Sequence, residues 1–416
     1  MSKFNINLHQ VIFSLSDALD LVGVDQVYHG KRVAYIAAEC GKALNWNIDR
    51  LDDLFLAAIL HDCGVSKTAI HTRLTNFEGK NIGNHCAKGA DLLQKRPLLA
   101  NLADFILYHH TPWTELLGLD LPEAVKFGAN CIYMADRVDI LALNGLESDP
   151  NILASKDQIR RKIKAKAERW FHQELVDTFL QISAPESFWL SIEQVQNSGY
   201  ASSWIQHNSA EEIDFQDLKD IILIFSHIVD AKSAYTTQYS RGVAILSRHL
   251  GELFNLSEHL CDKLELTGLL HDLGMLRVPD KIIDKPGKLT QSEYYTVQRH
   301  SFDSYDILKN ITGFEDIAKW AAQHHERIDG SGYPYQYNEQ DLSIEARIIA
   351  VAAVFQALIQ KRPYRDRFSP QNIMLELNKQ SQAGKLDKEV VSMVESNFTE
   401  CLKSAQLLNQ VISPST

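Results

Sequence analysis

The sequence is poor in the features that mark disulfide-bonded, zinc-finger, membrane-spanning or polyanion-binding proteins. Its six cysteines, at positions 40, 63, 86, 131, 261 and 401, are scattered and form no CxxC pair. That excludes the usual finger and redox spacings and points to reduced thiols, mostly buried in helices. No apolar run approaches the roughly 18 residues of a membrane-crossing helix. The opening MSKFNINLHQ has neither an apolar core nor a small-residue cleavage site, so no secretory leader is expected. Basic residues are outnumbered: 42 Lys and Arg against 53 Asp and Glu give a net charge of −11, and the pI is about 5.8. This balance argues against a nucleic-acid polymer as ligand, though not against one small nucleotide held through a metal. No low-complexity segment and no convincing strand pattern is present, and a cytoplasmic protein away from membranes is expected.

What is present is helical periodicity. The 416 residues, 45% hydrophobic and 23% charged, suffice for two or three domains with full cores. Apolar residues recur at i, i+3, i+4 over 15–21, 33–44 and 51–60, and helices are also predicted over 98–108 and 127–143. Asp49, Asp52 and Asp53 suit a helix start. That helix runs through LFLAAIL into His61-Asp62 and ends near Cys63-Gly64. The helix over 98–108 delivers His109-His110 before Pro112 stops it.

The chain also repeats itself. His29 lies 32 residues before His61-Asp62, and Tyr239 lies 32 before His271-Asp272. His85 lies 24 residues before His109-His110, and His300 lies 24 before His324-His325. The offset is 210 up to the His-Asp pair and 215 from His85 onward, where QELVDTF (173–179) aligns with KEVVSMV (388–394). The extra residues fall in the loop holding Lys285-Pro286-Gly287-Lys288. The expected organisation is a first domain over 1–182, a packed connector over 183–216 and a second domain over 217–416, all of it α-helical.

Mixed imidazole and carboxylate ligands suit hard or borderline divalent ions that act on phosphates. One histidine is ordinarily a hydrogen-bonded core residue. Seven ligand-type residues in order, several at spacings that recur in a second copy, are a metal constellation.

The stretch Gln323–Pro334, QHHERIDGSGYP, resembles the HHExxDGxGYP signature of the HD-GYP phosphodiesterases. HGKRV at His29 resembles the family's HxxRV, HCAKGADLL at His85 its HxxxGxxxL, and RPYR at Arg362–Arg365 its arginine run. The resemblance covers almost the whole chain. It implies two HD-superfamily helical bundles in tandem and metal-dependent hydrolysis of a cyclic dinucleotide, cyclic di-GMP or 3′3′-cyclic GMP-AMP, to a linear dinucleotide. It also implies a ligand division. One ion takes His29, His61, Asp62 and Asp136; the other takes Asp62, His85, His109 and His110. By the same resemblance His271, Asp272, His300, His324 and His325 are ligands in the second copy. There Tyr239 and Ala353 replace two ligands of one ion, so the first copy is expected to hold two iron, manganese or nickel ions and the second at most one.

The first copy lacks a GYP tail, reading TPWTELLG after His110. His61, Asp62, His271 and Asp272 are the expected catalytic centre, with Lys67 as a phosphate-handling residue and Arg277 as its counterpart. Glu326, Asp329, Gly332, Tyr333, Pro334, Arg362 and Arg365 are expected at the substrate. Asp329 also suits a side chain fixing its own loop. A second reading is a catalytically weak receptor or scaffold regulating a partner such as a diguanylate cyclase.

Overall fold

A computed structural model describes residues 2–23, 28–67, 83–148, 151–193, 200, 204, 210–236 and 238–406. The connector expectation therefore lies partly outside the described residues. The chain forms two compact units, one over Asn7–Ala210 and one that joins the N-terminal strand to Glu211 onward.

Six helices frame the first unit: α1 (Leu8–Asp20), α2 (His29–Ala43), α3 (Ile48–Leu60), α4 (Gly83–Gln94), α5 (Ala103–Tyr108) and α6 (Glu123–Ser148). Six equivalents frame the second: α7 (Phe215–Asp230), α8 (Tyr239–Leu253), α9 (Glu258–Leu270), α10 (Gln291–Leu308), α11 (Glu315–Gln323) and α12 (Ile344–Ile359). Helices α2 and α8 each have 15 residues, and α3 and α9 each have 13. The local signals recur too. Asn47 caps α3 by accepting from the Arg50 N–H, and Ser257 caps α9 by accepting from that of Leu260. Both α2 and α8 start from a left-handed residue, Tyr28 and Gln238.

Each helix buries an apolar stripe. Val33, Ile36, Leu54, Ile59, Ile132 and Val138 are inside the first unit. Val243, Leu246, Leu250, Ile348, Val351 and Phe355 form the corresponding core of the second, joined by Leu377, Val390 and Val394 from the C-terminal helices. At about 1.5–3 kcal/mol per fully buried large aliphatic side chain, these stripes hold the helices in place. No helix among the described residues is long and apolar enough to cross a membrane.

No strand is expected from the sequence, yet the structure contains one antiparallel pair among the described residues. Lys3–Ile6 pairs antiparallel with Glu211–Asp214, Lys3 opposite Asp214. Phe4 and Ile6 alternate inward, but four residues are too few for that alternation to stand out in sequence, and the partner strand is remote. The helix expected over 98–108 also starts late. Pro97 begins a turn, a 3-10 segment follows at Ala100–Leu102, and α-helix begins only at Ala103. The Trp189 of the connector is fully buried, on the helix Glu186–Glu193, and Trp204 stacks on Phe55 at 4.4 Å.

Candidate metal centres

The turn after the His-Asp pair brings the site together. A Cβ on Gly64 would stand 1.9 Å from the His85 carbonyl oxygen, and one on Gly274 would stand 2.2 Å from that of His300. Only glycine lets this turn press against α4 and α10. The histidines at the ends of α3 and α5 then face those on α4 and the aspartates on α6.

In the first unit the Nδ1 of His61 donates to the Ala58 carbonyl at 2.8 Å, and that of His109 to the Ile106 carbonyl at 2.6 Å. A carbonyl only accepts, so the ring proton sits on Nδ1 and the Nε2 lone pair points inward. His61 Nε2 is buried with no hydrogen-bond partner. Asp62 stands among the rings, 3.6 Å from His61 Nε2, 3.4 Å from His85 Nε2 and 4.0 Å from His29 Nε2. His29 Nε2 is 3.5 Å from Asp136, and His110 Nδ1 is 3.8 Å from it. The seven candidate ligands of the first copy are thus contiguous. Their donor atoms group within 4.8 Å as His29, His61 and Asp136; as His61, Asp62 and His109; and as His85, Cys86, His109 and His110.

Charge is arranged to match. Burial alone would raise the Asp62 carboxyl, yet the surrounding imidazoles, His61 and His85 foremost, hold it far below the usual carboxylate range. Burial keeps His109 and His110 well below the ordinary imidazole value, and each neighbouring ring adds to the effect. They are therefore neutral at pH 7, the state in which they ligate. Burial would also lower His29, but its hydrogen bond to Asp139 and the charges of Asp139, Asp136 and Asp62 raise it to about 9.

Asp139, one turn beyond Asp136, accepts from His29 Nδ1 at 2.7 Å and from Arg32 Nε at 2.5 Å. It orients a candidate ligand, as outer carboxylates commonly do. The sequence reading gave it no role, although its spacing of three from Asp136 put it on the same helix face. Two further neighbours were missed. Cys86 joins the His85 cluster, and Tyr133 sets its ring edge-on to His110 at 5.4 Å.

The second unit repeats half of this. His271, His300 and His324 donate from Nδ1 to the carbonyls of Gly268, Val297 and Ala321. The Nε2 atoms of His300 and His324 are thereby turned inward, and they face each other at 3.1 Å. Asp272 Oδ1 lies 3.2 and 3.5 Å from them. With the rings converging on a carboxylate at these distances, this donor set fits a metal ion. Burial holds His271 down at about 4 and His325 well below its ordinary value.

The other half has been rebuilt. Tyr239 opens α8 where His29 opens α2, and its hydroxyl donates to the Ala353 carbonyl at 3.1 Å. Ala353 and Gln356 stand for Asp136 and Asp139, and Gly242 stands for Arg32. A Cβ on Gly242 would lie 2.2 Å from the Gln356 amide. The candidate ligands, the orienting carboxylate and its arginine thus all differ between the copies, and the glutamine packs against Gly242.

The GYP loop folds over the His325 side. Tyr333 stacks on His325 at 4.7 Å. A Cβ on Gly332 would come within 2.4 Å of the Glu326 Cα, and the Tyr333–Pro334 peptide is cis. Glu326 is buried and accepts from the backbone N–H groups of Tyr335 and Tyr337 at 2.7 and 3.1 Å. Asp329 accepts from the Ser331 N–H and hydroxyl. Both carboxylates are therefore committed to holding their own loop. Arg362 lies over the Tyr239 ring at 4.8 Å, whereas Arg365 donates to the Ala357 carbonyl near the end of α12. Arg277 pairs with Asp303 at 2.8 Å, and Lys67 is exposed.

Comparison with known proteins matches the HD domain family over residues 27–141 and again over 224–390. The chain is 37% identical to the 3′3′-cGAMP-specific phosphodiesterase 1 of Vibrio cholerae over 95% of its own length and 93% of that protein's. It is 35% identical to the cyclic di-GMP phosphodiesterase response regulator RpfG of Xanthomonas campestris, over 39% of this chain and 42% of that one. The crystal structure of a cyclic GMP-AMP-specific phosphodiesterase of V. cholerae shares the fold, with a TM-score of 0.64 and 23% identity over 94% of this chain and 97% of that one.

Proposed function

Because the chain belongs to the family of HD-domain phosphodiesterases, we infer that it is a metal-dependent enzyme that hydrolyses a cyclic dinucleotide second messenger, 3′3′-cyclic GMP-AMP or cyclic di-GMP, to a linear dinucleotide. The carrying observation is the seven-residue cluster of the first unit, inward-facing and arranged around Asp62. His29, His61, Asp62 and Asp136 would hold one ion and Asp62, His85, His109 and His110 a second. Iron, manganese and nickel all suit such donors. When bound, such ions activate water and neutralise charge on phosphoryl oxygens.

The protein's own contribution is to fix and dry the site. The carbonyls of Ala58 and Ile106 and the Asp139 carboxylate set ring orientation and tautomer. Val65 and Ile59 wall the cleft that reaches His29, His61 and Asp62. Water adds to one phosphorus as one P–O bond opens, leaving a linear chain with a terminal phosphate and a free hydroxyl. In the second unit Asp272, His300, His324 and His325 would hold a single ion. The GYP loop and Arg362 would contact substrate or a regulatory nucleotide there. The presence of Tyr239, Gly242, Ala353 and Gln356 where the first unit has His29, Arg32, Asp136 and Asp139 supports this division of labour.

The test is metal analysis beside turnover of both dinucleotides. His61→Ala with Asp62→Ala is expected to remove the first unit's ions and abolish turnover. Activity that survives this change and dies in His271→Ala with Asp272→Ala overturns the assignment.

A further inference from the structure

We propose that Cys86 is a thiolate ligand to the ion at His85, His109 and His110, and that it makes the first unit select a softer metal than the second. The proposal rests on the metal reading above and adds a donor to it.

Cys86 follows His85 on α4 and is 3% exposed. Its Sγ lies 3.6 Å from His85 Nε2, and with the donors of His109 and His110 all four ligand atoms fall within 4.8 Å of one another. A sulfur about 2.3 Å and a nitrogen about 2.1 Å from one tetrahedral ion stand about 3.6 Å apart, and two such nitrogens about 3.4 Å apart. The Nε2 atoms of His85 and His109 are 3.3 Å apart, and Asp62 Oδ1 is 3.4 Å from the former. The Cys86–His85 and His85–His109 separations are therefore those of donors sharing one ion, and all four atoms of the group, His110 included, lie close enough to do so. The Nδ1 of His110 is also buried with no hydrogen-bond partner.

The repeat supplies the contrast. Ser301 stands at the equivalent position, its hydroxyl 3.3 Å from His300 Nε2. A neutral hydroxyl is a weak, hard donor. A thiolate is a strong, soft one that favours zinc, cobalt or ferrous iron over manganese or magnesium. On binding, the Cys86 S–H bond opens, the proton goes to solvent and the sulfur lone pair forms the metal bond. All six cysteines are buried, so no exposed thiol competes for added metal.

The test uses the full chain, stripped of metal and titrated with cobalt(II) without oxygen. The expected result is visible d–d bands together with a near-ultraviolet thiolate-to-cobalt charge-transfer band. In Cys86→Ser that band disappears while d–d bands persist, and preference for zinc over manganese falls at least about tenfold. Cys261→Ala, in the second unit, keeps the band. If the wild-type protein shows d–d bands without charge transfer, Cys86 is not a ligand and the metal reading stands. If no cobalt binds, both fail. A band that survives Cys86→Ser assigns the sulfur elsewhere and overturns the proposal. Where the serine variant does not fold, Cys86→Ala takes its place, and absence of the band in the wild-type protein refutes the proposal without any variant.

Discussion

Asp139→Asn isolates what an outer carboxylate does for this fold. Asp139 is fully buried and takes hydrogen bonds from both His29 and Arg32. Burial would raise its carboxyl, yet Arg32 and His29 bring it from 3.8 down to about 2. At about 1.4 kcal/mol per unit, that depression represents about 2 to 3 kcal/mol of folding stability. The amide keeps the shape and loses the charge, which leaves the Arg32 guanidinium buried without its carboxylate. The melting transition of the metal-free first unit should fall by about 5 to 10 °C. Because the folded value is depressed, the stabilisation is present above about pH 4 and is lost as pH falls toward about 2. The gap between wild type and variant should close over that window. The amide has one accepting oxygen where the carboxylate used two, for His29 and Arg32, so His29 should bind its ion about 10- to 100-fold more weakly. Calorimetric metal titration against a competing chelator, beside scanning calorimetry of the stripped protein, reads both effects. Gln356→Ala, at the equivalent place in the second unit, should leave metal stoichiometry untouched. Unchanged melting and metal affinity in Asp139→Asn would refute the reasoning.

Other outcomes follow from the same geometry. His29 is held charged up to about 9 in the metal-free protein. Its raised value stabilises the metal-free fold below about pH 6.5, and that contribution is lost as pH rises through about 9. Ligation needs the neutral ring, so affinity for the ion at His29 should rise by up to about tenfold per pH unit in that interval, with about one proton released. Titration in buffers of different ionisation enthalpy measures the release, and a flat affinity over the interval contradicts it. Glu326→Ala strands two loop N–H groups, each at about 1–3 kcal/mol. It should lower thermal stability of the second unit and leave metal content unchanged; a loss of metal with unchanged stability would mean the carboxylate reaches the ion instead. Tyr333→Ala removes a ring contact of about 0.5–1.5 kcal/mol on His325. It should raise KM for the dinucleotide without altering the first unit's metal content, and an unchanged KM argues against a substrate role for the loop.

Much of the candidate site was legible because its candidate ligands recur at fixed spacings. His61-Asp62 ends one helix, His109-His110 ends another, and Asp136 lies inside a third, so order along the chain carried over into neighbourhood in space. The same comparison located the change in the second copy at Tyr239 and Ala353. The two short strands escaped because Lys3–Ile6 and Glu211–Asp214 are each too brief to show a period, and their pairing spans most of the chain. The late start of α5 escaped because tight turns after Pro97 carry the same apolar spacing as a helix turn.

The sequence by itself determined the repeat, the helical class and the places, Tyr239 and Ala353, where the second copy departs from the first, since these reside in residue identity and periodicity; the candidate ligands came from its resemblance to a family. Only the tertiary structure decided how the ligands are held. The ring tautomers follow from carbonyls three residues back, and the charge on His29 follows from Asp139 more than one hundred residues away. Gln356 fills space left by Gly242, and Cys86 Sγ meets His85 Nε2 beside two other rings. Each of these depends on side chains brought together by packing between helices, and no local spacing encodes such a distance.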